Sequence, residues 1–402
     1  MSAGNKSNLK ILKWRLYHAY LNFKVFFIRK KKKIRFLFIL SELSQWKTER
    51  LYKAMLQHPR FEPLLGITTR TSCPGVEKTM EEYCRQKGYD YFILDPEKTI
   101  NSQVKTDFVT HQQPYISEIN PALYIDSNKN IPVVLIPYYI PFLMEDWTVN
   151  NRLAVLAWKN LVNHESCAEA WAKTHKLKGT NYAVTGLPVM DDLLVPKEEY
   201  EDVWPCKDGR RRIIYSPHHT IADIHWEGIA YSTFLDYCQF MLDLREKYRD
   251  KVYFVFKPHP SLKYRLYKIW GEEKTDEYYS RWDVPGVSHV EQGQYMALFK
   301  HSDALIHDCG SFTLEYMYTG NPVMYLVRDE HRTDNLTPCA KEAFDLHYKA
   351  YSEKDIENFV LNVIAGRDPL KERRELFKQD KLLSPNGKTA CENIIDLILG
   401  TK

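Results

Sequence analysis

"SDALIHDCGSFTLEYMYTG" spans residues 302–320 and joins a short apolar run to a helical pattern. The run at 304–306 predicts a buried strand, and the apolar spacing after residue 312 predicts a helix. The junction "HDCGS" has two interpretations. It is either a tight turn in which Ser311 caps the helix, or a phosphate site, because a helix N-terminus offers unpaired N–H groups and the positive end of a dipole.

Similar apolar runs alternate with helical patterns along the chain. In the first half we predict strands at 33–40, 61–68, 89–94, 107–114 and 131–138, with helices at 45–59, at 76–88 and around 165–175. The segment at 181–194 predicts a strand, a Gly-Pro turn and a short helix. In the second half we predict strands at 212–217, 251–260, 302–308 and 321–326. Short apolar runs separated by helices indicate α/β domains with parallel, doubly wound sheets.

A polar segment at about 195–211 separates the two series. We therefore predict a basic amphipathic helix at 1–33, an N-terminal Rossmann-like domain at 34–195 and a C-terminal Rossmann-like domain at 196–402. The last helix of the chain is a candidate for packing back on the N-terminal domain. Two such domains facing across a cleft form the GT-B arrangement, whose ligands lie at the carboxyl ends of the strands.

The positive charge of the chain is concentrated at its N-terminus. Residues 1–35 hold eleven Lys or Arg and no Asp or Glu, whereas the rest of the chain has an acidic excess. A nucleic-acid-binding body is therefore not expected. On a helical wheel one side carries Leu12, Leu16, Tyr20, Phe23, Phe26 and Phe27. With the basic run at 29–33 this pattern predicts a helix lying on an anionic membrane surface; the alternative is a helix packed on the protein itself.

No run of 18 uncharged apolar residues exists, so the sequence predicts no transmembrane helix. The eight cysteines include no C-x-x-C pair, which fits a reducing cytoplasm and predicts neither a zinc site nor a disulfide framework.

Three polar clusters in the second half follow predicted strands. They hold Ser216, His218, His219 and Thr220; then Lys257 and His259; then His307, Asp308, Gly310, Ser311, Phe312 and Glu315. Such clusters at the carboxyl ends of parallel strands suit a pyrophosphate-containing donor. Flanking prolines stiffen the backbone at His259, whose imidazole could bond or protonate a phosphate oxygen. Lys257 would add positive charge or be a solvated strand-end lysine, and Glu315 would accept from ribose hydroxyls.

Other chemistry is less well supported by these residues. Cys309 beside His307 could be a thiol nucleophile, but an inert buried residue is the more common case. His218 and His219 could ligate a metal, yet no further ligand stands at suitable spacing on the same element. No G-x-G-x-x-G, P-loop or Asp-x-Asp motif occurs, so we predict no metal and no cofactor.

The order "SPHHT", "KPHP" and then "SDALIHDCGSFTLEYMYTGNPVMYL" resembles the CDP-glycerol glycerophosphotransferase family, GT-B enzymes that build teichoic acids and related capsule polymers. The similarity covers about residues 154–330, with Glu315 where the family has Asp. The resemblance implies that an acceptor hydroxyl attacks the β-phosphorus of CDP-glycerol or CDP-ribitol and that CMP leaves. Candidate catalytic residues are His259, His218 and Asp308. Candidates for nucleotide or phosphate binding are Ser216, His219, Thr220, Lys257, Gly310, Ser311, Phe312 and Glu315.

The sequence departs from the family at one point. The resemblance implies a His-Gly-Thr-Pro segment at a strand end of the N-terminal domain, with its His as the proposed base for the acceptor hydroxyl. The strand here runs "VVLIPYYIPFL" (133–143) without a His. Acceptor-side candidates are then His111, Tyr138, Tyr139, Glu145 and Asp146.

The resemblance also implies a polysaccharide or lipid-linked acceptor, made at the cytoplasmic face of the bacterial cell membrane by a peripheral enzyme. Three alternatives stay open. One is a GT-B glycosyltransferase that uses a CMP-sugar in capsule synthesis, and another is a nucleotide-sugar enzyme of a different GT-B branch. The third is a non-catalytic partner in capsule assembly.

Overall fold

The computed structural model describes residues 3–71, 74–115, 117–221, 232–291, 295–328 and 335–401, with residues 3–7 described by their backbone only. The chain forms two compact units. Unit 1 contains Met1–Asp192 together with Leu383–Lys402, and unit 2 contains Leu193–Leu382.

Unit 1 is built on a seven-stranded parallel sheet with the order β3-β2-β1-β4-β5-β6-β7. Its strands are β1 Ile34–Leu40, β2 Phe61–Ile67, β3 Phe92–Ile93, β4 Phe108–His111, β5 Val133–Leu135, β6 Lys159–Val162 and β7 Tyr182–Val184. β1 is a continuous apolar run and is almost entirely buried, as expected for a strand covered by helices on both faces. The strand order reverses between β1 and β4.

The helices of unit 1 are mostly short. They are α1 Ala3–Ile28, α2 Glu49–Gln57, α3 Glu77–Lys87, α4 Ile100–Gln103, α5 Asp146–Val149, α6 Arg152–Leu156, α7 Glu165–Thr174, α8 Pro188–Leu194, which runs across the unit boundary, and α17 Ala390–Leu399. Two 3-10 turns lie at Leu43–Gln45 and Ile125–Ser127, and a third at Pro385–Gly387. The N-terminus of α17 is held by a Thr389–Glu392 capping box and by Asp191, which accepts from the N–H groups of Ala390 and Cys391.

Unit 2 repeats this plan with a six-stranded parallel sheet of order β10-β9-β8-β11-β12-β13. Its strands are β8 Arg211–Ser216, β9 Val252–Phe256, β10 Ser288–Val290, β11 Ala304–His307, β12 Val323–Leu326 and β13 Tyr348–Ala350. Its helices are α9 Phe234–Lys247, α10 Pro260–Trp270, α11 Glu272–Ser280, α12 Met296–Lys300, α13 Phe312–Glu315, α14 Pro338–Asp345, α15 Glu353–Ile364 and α16 Lys371–Lys381, with 3-10 turns at Lys197–Glu199 and Tyr316–Thr319. Here the order reverses between β8 and β11.

The core of unit 2 is rich in aromatic rings. Phe256 on β9 stacks on Trp282 with 5.0 Å between ring centroids, and Tyr215 on β8 stacks on Phe256 at 5.7 Å. All three side chains are fully buried. Burying rings of this size gives much of the apolar stabilisation of a domain and fixes the ends of β8 and β9 relative to each other.

Helix α1 has two apolar faces. Leu21, Val25 and Ile28 are buried against unit 1, and the His18 Nε2 atom lies 2.9 Å from the Val155 carbonyl oxygen. On the opposite face each apolar residue is between 48% and 65% exposed. These residues are Leu9, Leu12, Leu16, Tyr20, Phe23, Phe26 and Phe27. Packing on the body therefore accounts for one face only. Within the described residues, no helix combines the length and hydropathy that crossing a bilayer requires.

The predicted fold class is confirmed: the chain is an α/β protein with two parallel, doubly wound sheets. The two units meet at Asp192 and Leu193, whereas the sequence predicted 195 and 196, and Leu383–Lys402 belongs to unit 1 although the predicted C-terminal domain included it. The strands β6, β10 and β13 were not predicted.

Candidate active site

The predicted donor-site clusters meet at one edge of the unit 2 sheet. Ser216 ends β8, and its register partner on β11 is His307. Lys257 follows β9, and its N–H group donates to the Tyr215 carbonyl at 2.8 Å. Because β8, β9 and β11 are adjacent and parallel, their carboxyl ends converge at the point where the strand order reverses. This is where α/β sheets of this kind bind ligands.

Three imidazoles gather at this edge, and we call His218, His219 and His259 the histidine cluster. The ring centroids of His218 and His219 are 4.3 Å apart, and His259 lies 4.1 Å from His219 and 5.0 Å from His218. The rings therefore come from the ends of two different strands, β8 and β9. The spacing of these histidines along the sequence did not reveal that they lie together.

The His259 ring is held by the start of α10. His259 is the N-cap residue, and its Nδ1 atom accepts from the Ser261 N–H at 3.1 Å. Pro260 occupies the first helical position, and the backbone N–H of His259 donates to the Pro217 carbonyl at 3.0 Å. Because Nδ1 is an acceptor, the neutral ring carries its proton on Nε2, where it can be donated to an anion.

Arg265 supplies positive charge beside the cluster. Burial lowers the pKa of His219 to about 4, and the Arg265 guanidinium adds to this effect. Burial also holds the pKa of His218 well below its ordinary value, with further contributions from the two other rings and from Arg265. These imidazoles are therefore neutral at pH 7 and act as hydrogen-bond groups, while Arg265 provides the charge. Sequence analysis missed Arg265, since nothing marks an arginine within a helix as a ligand-binding residue.

The histidine cluster is also the one group among the described residues that could hold a metal ion. Its ligand atoms all lie within 4.8 Å of one another. Tetrahedral coordination with Zn–N bonds of about 2.0–2.1 Å needs nitrogen atoms roughly 3.4 Å apart, so the rings would have to close in. Arg265 opposes a cation and favours an anion at the same place. The arrangement thus suits a phosphate better than a metal.

Asp308 lies beneath the site and is completely buried. One carboxylate oxygen accepts from the His218 N–H at 2.5 Å, and the other accepts from the N–H and the hydroxyl of Thr233 at 2.7 and 3.1 Å. Burial raises its pKa to about 7. The geometry makes Asp308 a positioning residue for the backbone at His218 rather than a group that meets a ligand.

Most of the other predicted binding residues are also largely enclosed. The Ser216 hydroxyl donates to the Lys257 carbonyl at 2.6 Å, which ties β8 to β9. The Thr220 hydroxyl lies 2.9 Å from His218 Nδ1 and orients that ring. Lys257 is only 6% exposed. Ser216 and Thr220 therefore hold neighbouring groups of the site in position. Lys257, which is largely buried, contributes its positive charge from the wall of the site.

The segment after β11 differs from both interpretations of the junction. α13 has four residues, and Ser311 occupies its N-cap position without making a side-chain capping bond. A helix this short has a correspondingly small dipole. Gly310 is buried beside Ser311, and the half-buried Phe312 packs on Phe299 at 4.9 Å. Glu315 is buried and accepts a hydrogen bond from the Tyr295 hydroxyl. Its ribose-binding role stays a prediction.

The acceptor-side candidates all lie in unit 1, at the end of β4 and in the segment that follows β5. His111 ends β4 and is 2% exposed, and burial lowers its pKa to about 4. Tyr138 and Tyr139 follow β5, with their ring centroids 4.9 Å apart. Glu145 is half-buried at the N-cap of α5, and the exposed Asp146 begins that helix. Near Tyr138, Arg70 forms ion pairs with Glu42 and Glu118, a group that sequence analysis also missed.

Two parallel sheets of this topology, with a basic and imidazole-rich ligand edge, define an α/β protein of the GT-B class. The model of the family described as CDP-glycerol:poly(glycerophosphate) glycerophosphotransferase matches residues 148–398, more than half of the chain. The chain belongs to that family, which confirms the predicted resemblance and makes it a transferase of the CDP-glycerol glycerophosphotransferase type.

Solved structures share the fold at low sequence identity. The wall teichoic acid polymerase TagF is 12% identical with a TM-score of 0.60, covering 98% of this chain and 96% of that one. A UDP-GlcNAc 2-epimerase from Neisseria meningitidis bound to UDP-GlcNAc is 15% identical, with a TM-score of 0.59 and coverage of 92% and 100%. A TagF variant soaked with CDPG is 13% identical, with a TM-score of 0.58 and coverage of 99% and 98%. No curated protein matches the sequence.

Proposed function

We propose that the protein transfers glycerol phosphate from CDP-glycerol to a hydroxyl group of a cell-surface polysaccharide or lipid-linked acceptor and releases CMP. The observation that carries the proposal is the histidine cluster beside Arg265 at the ligand edge of unit 2. The family description names this donor, and TagF, a structural neighbour, was soaked with CDPG. A teichoic acid or related capsule polymer is the proposed acceptor class.

In the proposed step the acceptor oxygen attacks the β-phosphorus of the donor. The new O–P bond forms while the bond from this phosphorus to the bridging oxygen breaks, and CMP leaves with the electron pair. Such transfer depends on positioning and charge stabilisation. His259 donates its Nε2 proton to the phosphate of the departing CMP, in a hydrogen bond or by transfer. Arg265 and Lys257 balance the negative charge, and Ser311 is the proposed hydroxyl ligand of the same phosphate.

The proton of the acceptor hydroxyl needs a base, and the candidates from the sequence are residues of unit 1. His111 is almost fully enclosed and has a lowered pKa, which makes it a weak and inaccessible base. Glu145 and Asp146 are carboxylates that solvent reaches. We therefore propose Glu145 or Asp146 as the group that takes the place of the family histidine.

The test is CMP release from CDP-glycerol, CDP-ribitol and CMP-sialic acid by the wild type and by His259→Ala, with His58→Ala in unit 1 as a matched control. Release from CDP-glycerol that is lost in His259→Ala and kept in the control supports the proposal. Release from CDP-ribitol alone would change the transferred group. Release from CMP-sialic acid alone would replace the proposal by a glycosyltransferase. Absence of turnover together with absence of cytidine nucleotide binding would favour a non-catalytic partner.

We also propose that the exposed face of α1 places the enzyme on the cytoplasmic surface of the membrane. Its exposed apolar side chains are followed by the basic run Arg29–Lys33, the combination that binds anionic lipid surfaces. Sedimentation with anionic vesicles should fall in a Phe23→Ser/Phe27→Ser variant. It should not change in Leu56→Ser, which removes from α2 an apolar side chain as exposed as that of Phe27. Equal losses in both variants would contradict this localisation.

A further inference from the structure

A cavity lies in unit 2, at the edge of the sheet opposite the histidine cluster. Its volume is about 690 Å³. It is lined by the residues that lead into β8 and β11, by the chain segment at 193–197 and by Lys378 of α16. These are the amino ends of the strands, whereas the candidate active site lies at their carboxyl ends. The volume falls within the range of about 300–1,000 Å³ that is typical of ligand sites.

The lining of this cavity is strongly basic. Seven lysines and arginines contribute to it, together with a single carboxylate, that of Asp303. A concave wall of one charge sign concentrates the field inside the cavity and attracts ions of the opposite sign. The lining also offers Ser302, Tyr318, Thr319 and Asn321 as polar groups. This composition points to an anion as the ligand.

Four of the seven cations are occupied in building the wall. Arg210 pairs with Asp208 at 2.8 Å, and Asp202 pairs with both Arg212 at 3.0 Å and Lys207 at 2.5 Å. Lys300 donates to the carbonyl groups of Leu193 and Val195, which holds the segment that forms one side of the cavity. These contacts fix the chain segments that form the wall of the cavity.

The other three cations are placed for a ligand. Lys197 and Lys378 form no ion pair with any carboxylate in the described part of the chain. Arg211 has a side chain that is 42% exposed, and its contact with Asp303 is long, at 3.5 Å. Three basic groups around one cavity match a ligand that carries more than one phosphate.

We propose that this cavity binds phosphodiester groups of a polyanionic chain. A concave and mainly polar site fits a flexible chain that enters it, whereas a membrane surface is met by a convex face with exposed apolar side chains. β8 spans six residues, so the two edges of the sheet are about 20 Å apart at 3.3 Å per residue. The cavity would hold a part of the chain distant from the reacting end. Identifying that chain with the acceptor rests on the proposed function, and the family description names poly(glycerophosphate).

The test uses the full-length protein and a glycerol phosphate oligomer of defined length as the probe, with binding followed by calorimetry at low and high salt. Lys197→Glu/Lys378→Glu is compared with Lys274→Glu/Lys354→Glu, which makes the same charge change at exposed residues outside the cavity. We expect about tenfold weaker oligomer binding or more in the first variant, since each lost charge-assisted bond matters on this scale. The control should bind like the wild type, and without oligomer both double variants should release CMP from CDP-glycerol at the wild-type rate.

Failure of the wild type to bind the oligomer, or equal weakening in both double variants, overturns the proposal. Loss of anionic vesicle binding in the cavity variant with unchanged oligomer binding overturns it in favour of a lipid surface. Loss of oligomer binding in the cavity variant alone, by a protein that does not turn over CDP-glycerol, supports the cavity and refutes the proposed function instead.

Discussion

The Asp308 carboxylate accepts a hydrogen bond from the backbone N–H of His218, with 2.5 Å between oxygen and nitrogen. Its other oxygen accepts from the Thr233 N–H at 2.7 Å. The carboxylate at the end of β11 therefore fixes the backbone that carries one ring of the histidine cluster. Asp308 was predicted to be catalytic, but its side chain is fully buried and its contacts hold the backbone of its neighbours.

Asp308 should give the protein a pH-dependent stability. Its pKa is raised by burial to about 7, against about 3.9 in an unfolded chain. The protonated form is thus favoured on folding. The resulting stabilisation is fully present below about pH 4 and is lost as the pH rises through about 7, by up to roughly 4 kcal/mol. Urea unfolding between pH 5 and 8 should show the free energy of unfolding falling more steeply in the wild type than in Asp308→Asn. Parallel profiles would contradict this assignment.

Replacing His259 by Asn should separate its structural role from its chemical one. Asn is a good N-cap, so Asn at this position can still accept from the Ser261 N–H, whereas His259→Ala loses the cap at a cost of about 1 kcal/mol. Neither variant carries an imidazole proton, and we expect both to reduce kcat for CMP release by about 10²-fold or more. Thermal unfolding and turnover are measured on the same samples. An active and stable His259→Asn enzyme would show that the ring has no chemical role.

Arg265→Ala should weaken donor binding and change the titration of a neighbouring ring. Losing one charged contact to a phosphate should raise the Kd of CMP or CDP-glycerol by about tenfold. The pKa of His219, lowered to about 4 mainly by burial and secondarily by Arg265, should rise in the variant but stay below its ordinary value. NMR titration of His219 reports this directly. Lys268→Ala, an exposed residue of the same helix, is the control and should change neither quantity.

Two helix caps should report on the two units separately. Thr389 caps α17 in unit 1, and Ser352 caps α15 in unit 2; each accepts from a backbone N–H at the start of its helix. Replacing either by Ala should cost about 1 kcal/mol. In hydrogen exchange, Thr389→Ala should speed exchange in Leu383–Lys402 and the strands of unit 1. Ser352→Ala should speed hydrogen exchange in unit 2 instead. Identical exchange maps for the two variants would contradict the division into units.

The sheets were predictable because each long strand is a continuous apolar run bounded by polar residues. β8, β9 and β11 fall inside their predicted ranges, or within one residue of them, for this reason. β10 and β13 have three residues each, and a run of that length does not stand out from a loop. Their position in the sheet is set by hydrogen bonding to β9 and β12. These strands are distant in the sequence, so a local pattern does not show the pairing.

The sequence predicted which strand ends carry the site, but it did not predict how the side chains there are arranged. Polar residues after apolar runs drew attention to Ser216, His259 and Asp308, which follow or end the adjacent parallel strands β8, β9 and β11. Burial decides which of them meets a ligand, and it depends on side chains brought from elsewhere in the chain. In α1, likewise, the helical wheel identified the exposed apolar side but not the second one, which is apolar because it packs on unit 1.

The chain enters unit 2 at Leu193 and leaves it at Leu382, so unit 2 is one uninterrupted sequence while unit 1 is made of two pieces. During translation, unit 2 is complete as soon as residue 382 has left the ribosome. Asp191, by contrast, lacks the two N–H groups of α17 that it binds until residues 383–402 have been synthesised. Domains fold as units while the chain emerges. The part of this protein that is synthesised first is therefore the last to reach its final structure.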